Sequence, residues 1–173
     1  MFENYISINQ NVAWLPNLQR GKRSVNPICS EDYIYFKIPG FLYIPFVPNE
    51  INFATLPSNV NFDVLSYNFS GCIMAVCVDK CGILKACHVS TGAGQDCIPL
   101  WNQIKSNVYR FMEFKPSDYI KVPIIRPLLG CYGLITGNIN AIRCFSITVV
   151  RDGRLPRVEW IEEIRNMDWR TNH

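Results

Sequence analysis

The run Cys72-Ile73-Met74-Ala75-Val76-Cys77-Val78-Asp79-Lys80-Cys81-Gly82-Ile83-Leu84-Lys85-Ala86-Cys87-His88-Val89 decides how this chain folds. Two apolar, β-leaning segments, Cys72 to Asp79 and Ile83 to Val89, flank the turn sequence Asp79-Lys80-Cys81-Gly82, and the pattern predicts a hairpin. Immediately before it stands Ser66-Tyr67-Asn68-Phe69-Ser70-Gly71, and after it Ser90-Thr91-Gly92. A Ser-Gly-Cys turn therefore opens the first strand, and a histidine lies near the end of the second.

Working outward, Asp32 to Val47 suggests two strands split at Pro39-Gly40. Pro45 confines the second to a sheet edge, because proline cannot donate to a ladder. Residues 48–63, rich in Asn and Pro, read as a long connection. Downstream, Asp96 as N-cap, Pro99 in the first turn and Leu100, Ile104, Val108 and Phe111 at helical spacing predict a helix over 97–111. Tyr119 to Ile125 is strand-like. Gly130, Gly133 and Gly137 punctuate a β-rich stretch, and with no Gly-Lys-Ser/Thr after them a phosphate loop is excluded. Ala141 to Arg151 alternates as a strand, and Asp152-Gly153 turns it back. Val158, Ile161 and Ile164 then predict a second helix over 156–170, with acidic residues early and arginine late to suit the helix dipole. There is no repeat, low-complexity tract or linker. Residues 1–173 read as one α+β domain, a β-rich sandwich of mixed or antiparallel strands flanked by helices.

The composition narrows the classes. With 49% apolar and 18% charged residues, the chain is globular rather than disordered. A net charge of +3, spread without clustering, points to no nucleic-acid partner, and the basic knot Arg20, Lys22 and Arg23 reads as a solvated loop. No apolar run has membrane-spanning length, so no membrane partner is expected. Met1 to Leu15 carries Glu3 early and lacks a basic start and an adequate apolar run, so it does not resemble a signal peptide. Most of the eight cysteines are accordingly expected to be free thiols in a reducing cytosol, several of them as small apolar strand residues. The spacing of Cys72, Cys77, Cys81, Cys87 and His88 does not match paired zinc knuckles, and neither a metal nor a cofactor is expected.

The chain has only two histidines, and the other, His173, is its last residue. If a cysteine is activated by an imidazole, His88 is the candidate. A three-residue hairpin loop centred on Lys80 would set Cys72 directly opposite His88 on one face, with Cβ atoms about 4.5–5.5 Å apart. A register one residue away would turn His88 to the other face. Such a pair could hold a thiolate near neutral pH. Gly71, after Ser70, permits a strained turn and close approach of a carbonyl, while backbone N–H groups there could hold an oxyanion. Ser66, Asn68 and Thr91 are the nearby groups able to orient the imidazole. The bland alternative is that Cys72 is core and His88 merely hydrogen-bonded.

Phe69-Ser70-Gly71-Cys72 resembles the Leu-Ser-Gly-Cys motif of the cytotoxic necrotizing factor catalytic domain, and His88 with Thr91-Gly92 is similar to that family's histidine in its His-Thr-Gly setting. The Burkholderia lethal factor belongs to the same glutamine deamidase superfamily, as does, more remotely, the chemotaxis deamidase. In the latter two a threonine six positions before the cysteine orients the histidine, and Ser66 stands at that position here. Phe69 replaces leucine, and Val89-Ser90 intervene before Thr91. The resemblance implies a toxin or effector whose Cys72 attacks a glutamine carboxamide, with His88 as general base and acid and Ser66 as the orienting hydroxyl. It also implies a protein substrate in a target cell, such as a GTPase or a helicase. The enzyme would be a monomer exported without a Sec signal and acting in host cytoplasm. With amines present the same intermediate could transglutaminate. The rivals are a cysteine peptidase or amidase, and a non-catalytic β-rich interaction protein. Loops 16–31, 48–64 and 126–140 are the expected substrate rims.

Overall fold

The computed structural model describes residues 41–92, 96–121, 128–152 and 155–171. Their elements are β1 (Phe41–Ile44), β2 (Ile51–Thr55), β3 (Phe62–Tyr67), β4 (Ile73–Val78), β5 (Leu84–Val89), α1 (Ile98–Asn107), β6 (Arg110–Phe114), a 3-10 turn (Pro116–Tyr119), β7 (Leu128–Asn138), β8 (Ala141–Asp152), β9 (Leu155–Ile164) and β10 (Arg170–Thr171). Two five-stranded sheets result, ordered β1-β3-β7-β8-β9 and β10-β6-β4-β5-β2. β1 runs parallel to β3, and the other pairings are antiparallel. β1 lies at a sheet edge, where Pro45 directly after it costs no ladder bond.

The sheets share one apolar core. Phe62 and Val64 of β3, Cys131 and Ile135 of β7 and Cys144 of β8 meet Met74, Val76 and Val78 of β4, Leu84 and Ala86 of β5, and Met112 and Phe114 of β6. α1 covers the far face of the second sheet, where the fully buried Trp101 packs with Ile73, Ala75, Cys87 and Val89. The Trp101 indole N–H donates to Glu113 at 2.5 Å, and Lys105 reaches the other carboxylate oxygen at 3.1 Å. Burial of that face therefore leaves no charge unpaired.

Several expectations need correction. The second helix is absent: residues 155–164 form β9. Thr148 pairs with Trp160 but Val149 with Val158, so Glu159 is the extra residue of a bulge. The bulge places Val158 and Ile161, three apart, in one cluster with Ile147 and Val149. An apolar spacing of three imitated a helix. Flanking by two helices thus reduces to one α-helix among the described residues. α1 stops at Asn107 because Val108 is extended (φ −94°, ψ 161°), and Phe111 faces Cys77 from β6. Cys97 rather than Asp96 is the N-cap, although Asp96 Oδ1 accepts the Ile98 N–H at 2.9 Å. Tyr119 closes the 3-10 turn begun by Pro116 and does not begin a strand, while residues 122–127 lie outside the described segments. The connection expected over 48–63 contains β2 and the start of β3.

Candidate active site

The hairpin register differs from the expected one in a way that keeps its chemical consequence. Asp79 Oδ1 accepts the N–H groups of Cys81 and Ile83, both at 2.9 Å, and Gly82 takes a left-handed φ of +81° at the last loop position. The three-residue loop is therefore centred on Cys81 rather than Lys80, because only glycine fits that last position without strain. Met74 pairs with His88 and Ile73 with Val89. Continued by one residue, this register sets Cys72 opposite Ser90 and diagonal to His88. The shift is two residues, so Cys72, Met74 and His88 still share the inner face. Diagonal neighbours lie ~7–8 Å apart, within reach of a ring.

Ser66 meets His88 across the sandwich. Ser66 pairs with Ile44 of β1 and Gly133 of β7, and it points into the core. Its hydroxyl donates to the Ile44 carbonyl at 2.6 Å and lies 2.7 Å from His88 Nδ1. A serine hydroxyl has one proton. Once that proton is given to Ile44, Oγ can only accept from Nδ1–H. The neutral tautomer is thereby assigned, and among the described residues Nε2 keeps a lone pair with no hydrogen-bond partner. Burial drives the His88 pKa down from 6.5 to about 3, so the ring is neutral at physiological pH. The expected thiolate–imidazolium pair is not preformed, because desolvation penalises the charged ring.

Cys72 is 2% exposed and His88 1% exposed. Cys72 Sγ donates weakly to the Thr91 carbonyl at 3.8 Å. The layer over it is thin: Ser70 and Gly92 are exposed, Gly71 and Thr91 half-buried. Gly71 (φ +129°) and Gly92 (φ +121°) both hold backbone conformations that favour glycine. Asn68 also turns with positive φ, at 75°. Neither Asn68 nor Thr91 bonds to the imidazole, since Ser66 occupies Nδ1 and Nε2 has no partner among the described residues.

Sequence reasoning did not find the rings around His88. Phe69 stacks on it with centroids 4.2 Å apart and planes at 10°, and Phe46 tilts against it at 5.3 Å. Phe46 follows Pro45, whose carbonyl accepts the Asn52 side-chain amide at 2.9 Å. The β1-to-β2 connection is thereby tied across the site, although only its proline was a sequence signal. Of the expected rims, 126–140 is largely β7, 48–64 includes β2, and 16–31 lies outside the described residues.

Of the other described cysteines, Cys77, Cys87, Cys97, Cys131 and Cys144 are buried. Burial pushes the thiols of Cys77 and Cys131 up to about 11 and Cys144 to about 12, and Cys87 well above its ordinary value. Cys81 is exposed, and the seven cysteines within the described residues are all unbridged. Among the described residues, no group of three or more His, Cys, Asp and Glu side chains is placed to hold a metal ion. No helix there is long and apolar enough to cross a membrane. No protein-family model, curated protein or solved structure matches this chain.

Proposed function

We propose that this chain is a Cys–His amidohydrolase that converts a protein glutamine to glutamate, the chemistry of the deamidases its motif resembles. One observation carries the reading: the Ile44 carbonyl, Ser66 hydroxyl and His88 Nδ1 form a hydrogen-bonded series that leaves Nε2 with a lone pair unpartnered among the described residues, on the face shared with Cys72. A purely structural histidine at 1% exposure would ordinarily have both ring nitrogens satisfied.

In this mechanism Nε2 takes the Cys72 proton as Sγ bonds to the carboxamide carbon. The carbonyl π pair moves to oxygen, and backbone N–H groups at Gly71 and Cys72 hold the oxyanion. Collapse expels the amide nitrogen, which leaves as ammonia with the proton from His88. Water, deprotonated by Nε2, then attacks the thioester, releasing glutamate and returning the thiol. No cofactor or metal enters any step. Because Cys72 and His88 are both buried, turnover requires the rim of Ser70-Gly71 and Thr91-Gly92 to part.

The test is a comparison of wild-type chain and Cys72→Ser in a eukaryotic cell lysate, with glutamine-to-glutamate conversion mapped by peptide mass spectrometry. Conversion at defined glutamines with the wild type alone is expected. Peptide cleavage at defined sites without conversion would mean a peptidase, and identical peptide maps would leave the interaction protein as the better reading.

A further inference from the structure

We infer that Phe69 is a positioning residue, whose ring sets the plane of the His88 imidazole and locks the Cys72-bearing turn to it. The inference rests on the dyad reading above but concerns a residue that chemistry alone does not require. Phe69 lies three residues before Cys72, on the crossing from β3 in one sheet to β4 in the other. Its backbone N–H donates to the Cys131 carbonyl of β7 at 3.2 Å, and its ring lies nearly parallel to His88 at 4.2 Å. One side chain therefore touches the base while its own backbone is anchored to the opposite sheet.

The surroundings are cut to fit that ring. Gly133 is the cross-strand partner of Ser66, and a methyl built there would clash with Met74 Sδ and crowd Pro116 Cγ at 3.0 Å and Phe69 Cε2 at 3.1 Å. Glycine at this position leaves the space that Phe69 and Met74 fill beside Ser66. Asn68, with φ of 75°, turns the chain immediately before Phe69. A leucine, as in the motif that this turn resembles, would fill volume but present no flat face. With one Nδ1 hydrogen bond alone, the imidazole could still pivot about the Ser66 contact. Stacking removes that freedom, and only then does Nε2 keep one direction relative to Cys72.

The experiment uses the full chain in a Cys72→Ser background, so its outcome does not depend on whether Cys72 deamidates anything. Nitrogen-15 spectra of the two histidines report tautomer and titration midpoint. In Phe69→Leu, Ser66 should still hold the Nδ1–H form, while solvent reaching the unstacked ring is expected to raise its midpoint from about 3 toward 6.5. Phe69→Met, which also fills the space without a flat face, should do the same, and it decides the matter if circular dichroism shows Phe69→Leu unfolded. With Cys72 restored, modification of its thiol by a glutamine chloromethyl ketone should slow about tenfold to a hundredfold in either variant. An unchanged His88 midpoint with an unchanged rate of Cys72 modification in the folded variants would overturn the positioning role.

Discussion

His88 is neutral because its ring is desolvated, and this has a measurable consequence for stability. Its folded pKa of about 3 lies below the ordinary 6.5, so below that value the unfolded chain binds a proton that the folded chain refuses. The stability contribution is complete above pH 6.5 and declines as pH falls toward 3. By pH 5 the loss should be about 2 kcal/mol, from ~1.4 kcal/mol per pKa unit. Urea unfolding of wild type and His88→Gln at pH 7 and pH 5 checks this, the decline being expected in the wild type and not in the variant. The carboxylates held low, Asp79, Glu162 and Glu163, act at lower pH and do not obscure that interval. At this scale the Ser66–His88 contact was legible in the sequence, since a chain with two histidines leaves few imidazoles for that hydroxyl to meet. Phe46 and Phe69 were not, because ring stacking is a property of the folded crossing.

Among the elements, legibility followed how closely local pattern matched the final pairing. The β4–β5 hairpin was readable from two apolar runs around a turn. Its exact register was not taken from Gly82, although that glycine's left-handed φ fixes the loop. β9 was misread because the Glu159 bulge replaces an alternation of two by a spacing of three. Deleting Glu159 tests this directly. With that residue gone Val158 and Ile161 stand two apart, so a continuous ladder keeps Val158 opposite Val149 and Ile161 opposite Ile147, each core residue on its present face. A change under ~1 kcal/mol is therefore expected by urea unfolding, the scale of a surface position. A loss of about 2–5 kcal/mol, the scale of large core truncations, would contradict the assigned bulge.

Considered whole, the molecule makes its candidate site where the chain changes sheets. Ser66 stands on one sheet and His88 on the other, and the β1–β2 and β3–β4 crossings bring Phe46 and Phe69 onto the imidazole. Composition could announce a β-rich sandwich, but the juxtaposition of two sheets depends on pairings far apart in sequence. The site should therefore be lost with sandwich packing, even where the hairpin survives. The most direct test uses a glutamine analogue carrying a chloromethyl ketone in place of its side-chain amide, with labelling of every cysteine measured at neutral pH by peptide mass spectrometry. Cys72 is expected to take the label ahead of Cys81, though Cys81 is exposed and Cys72 buried, and to lose that lead in folded His88→Gln. Labelling confined to Cys81, with Cys72 unmodified or indifferent to His88, would contradict a nucleophilic role for Cys72.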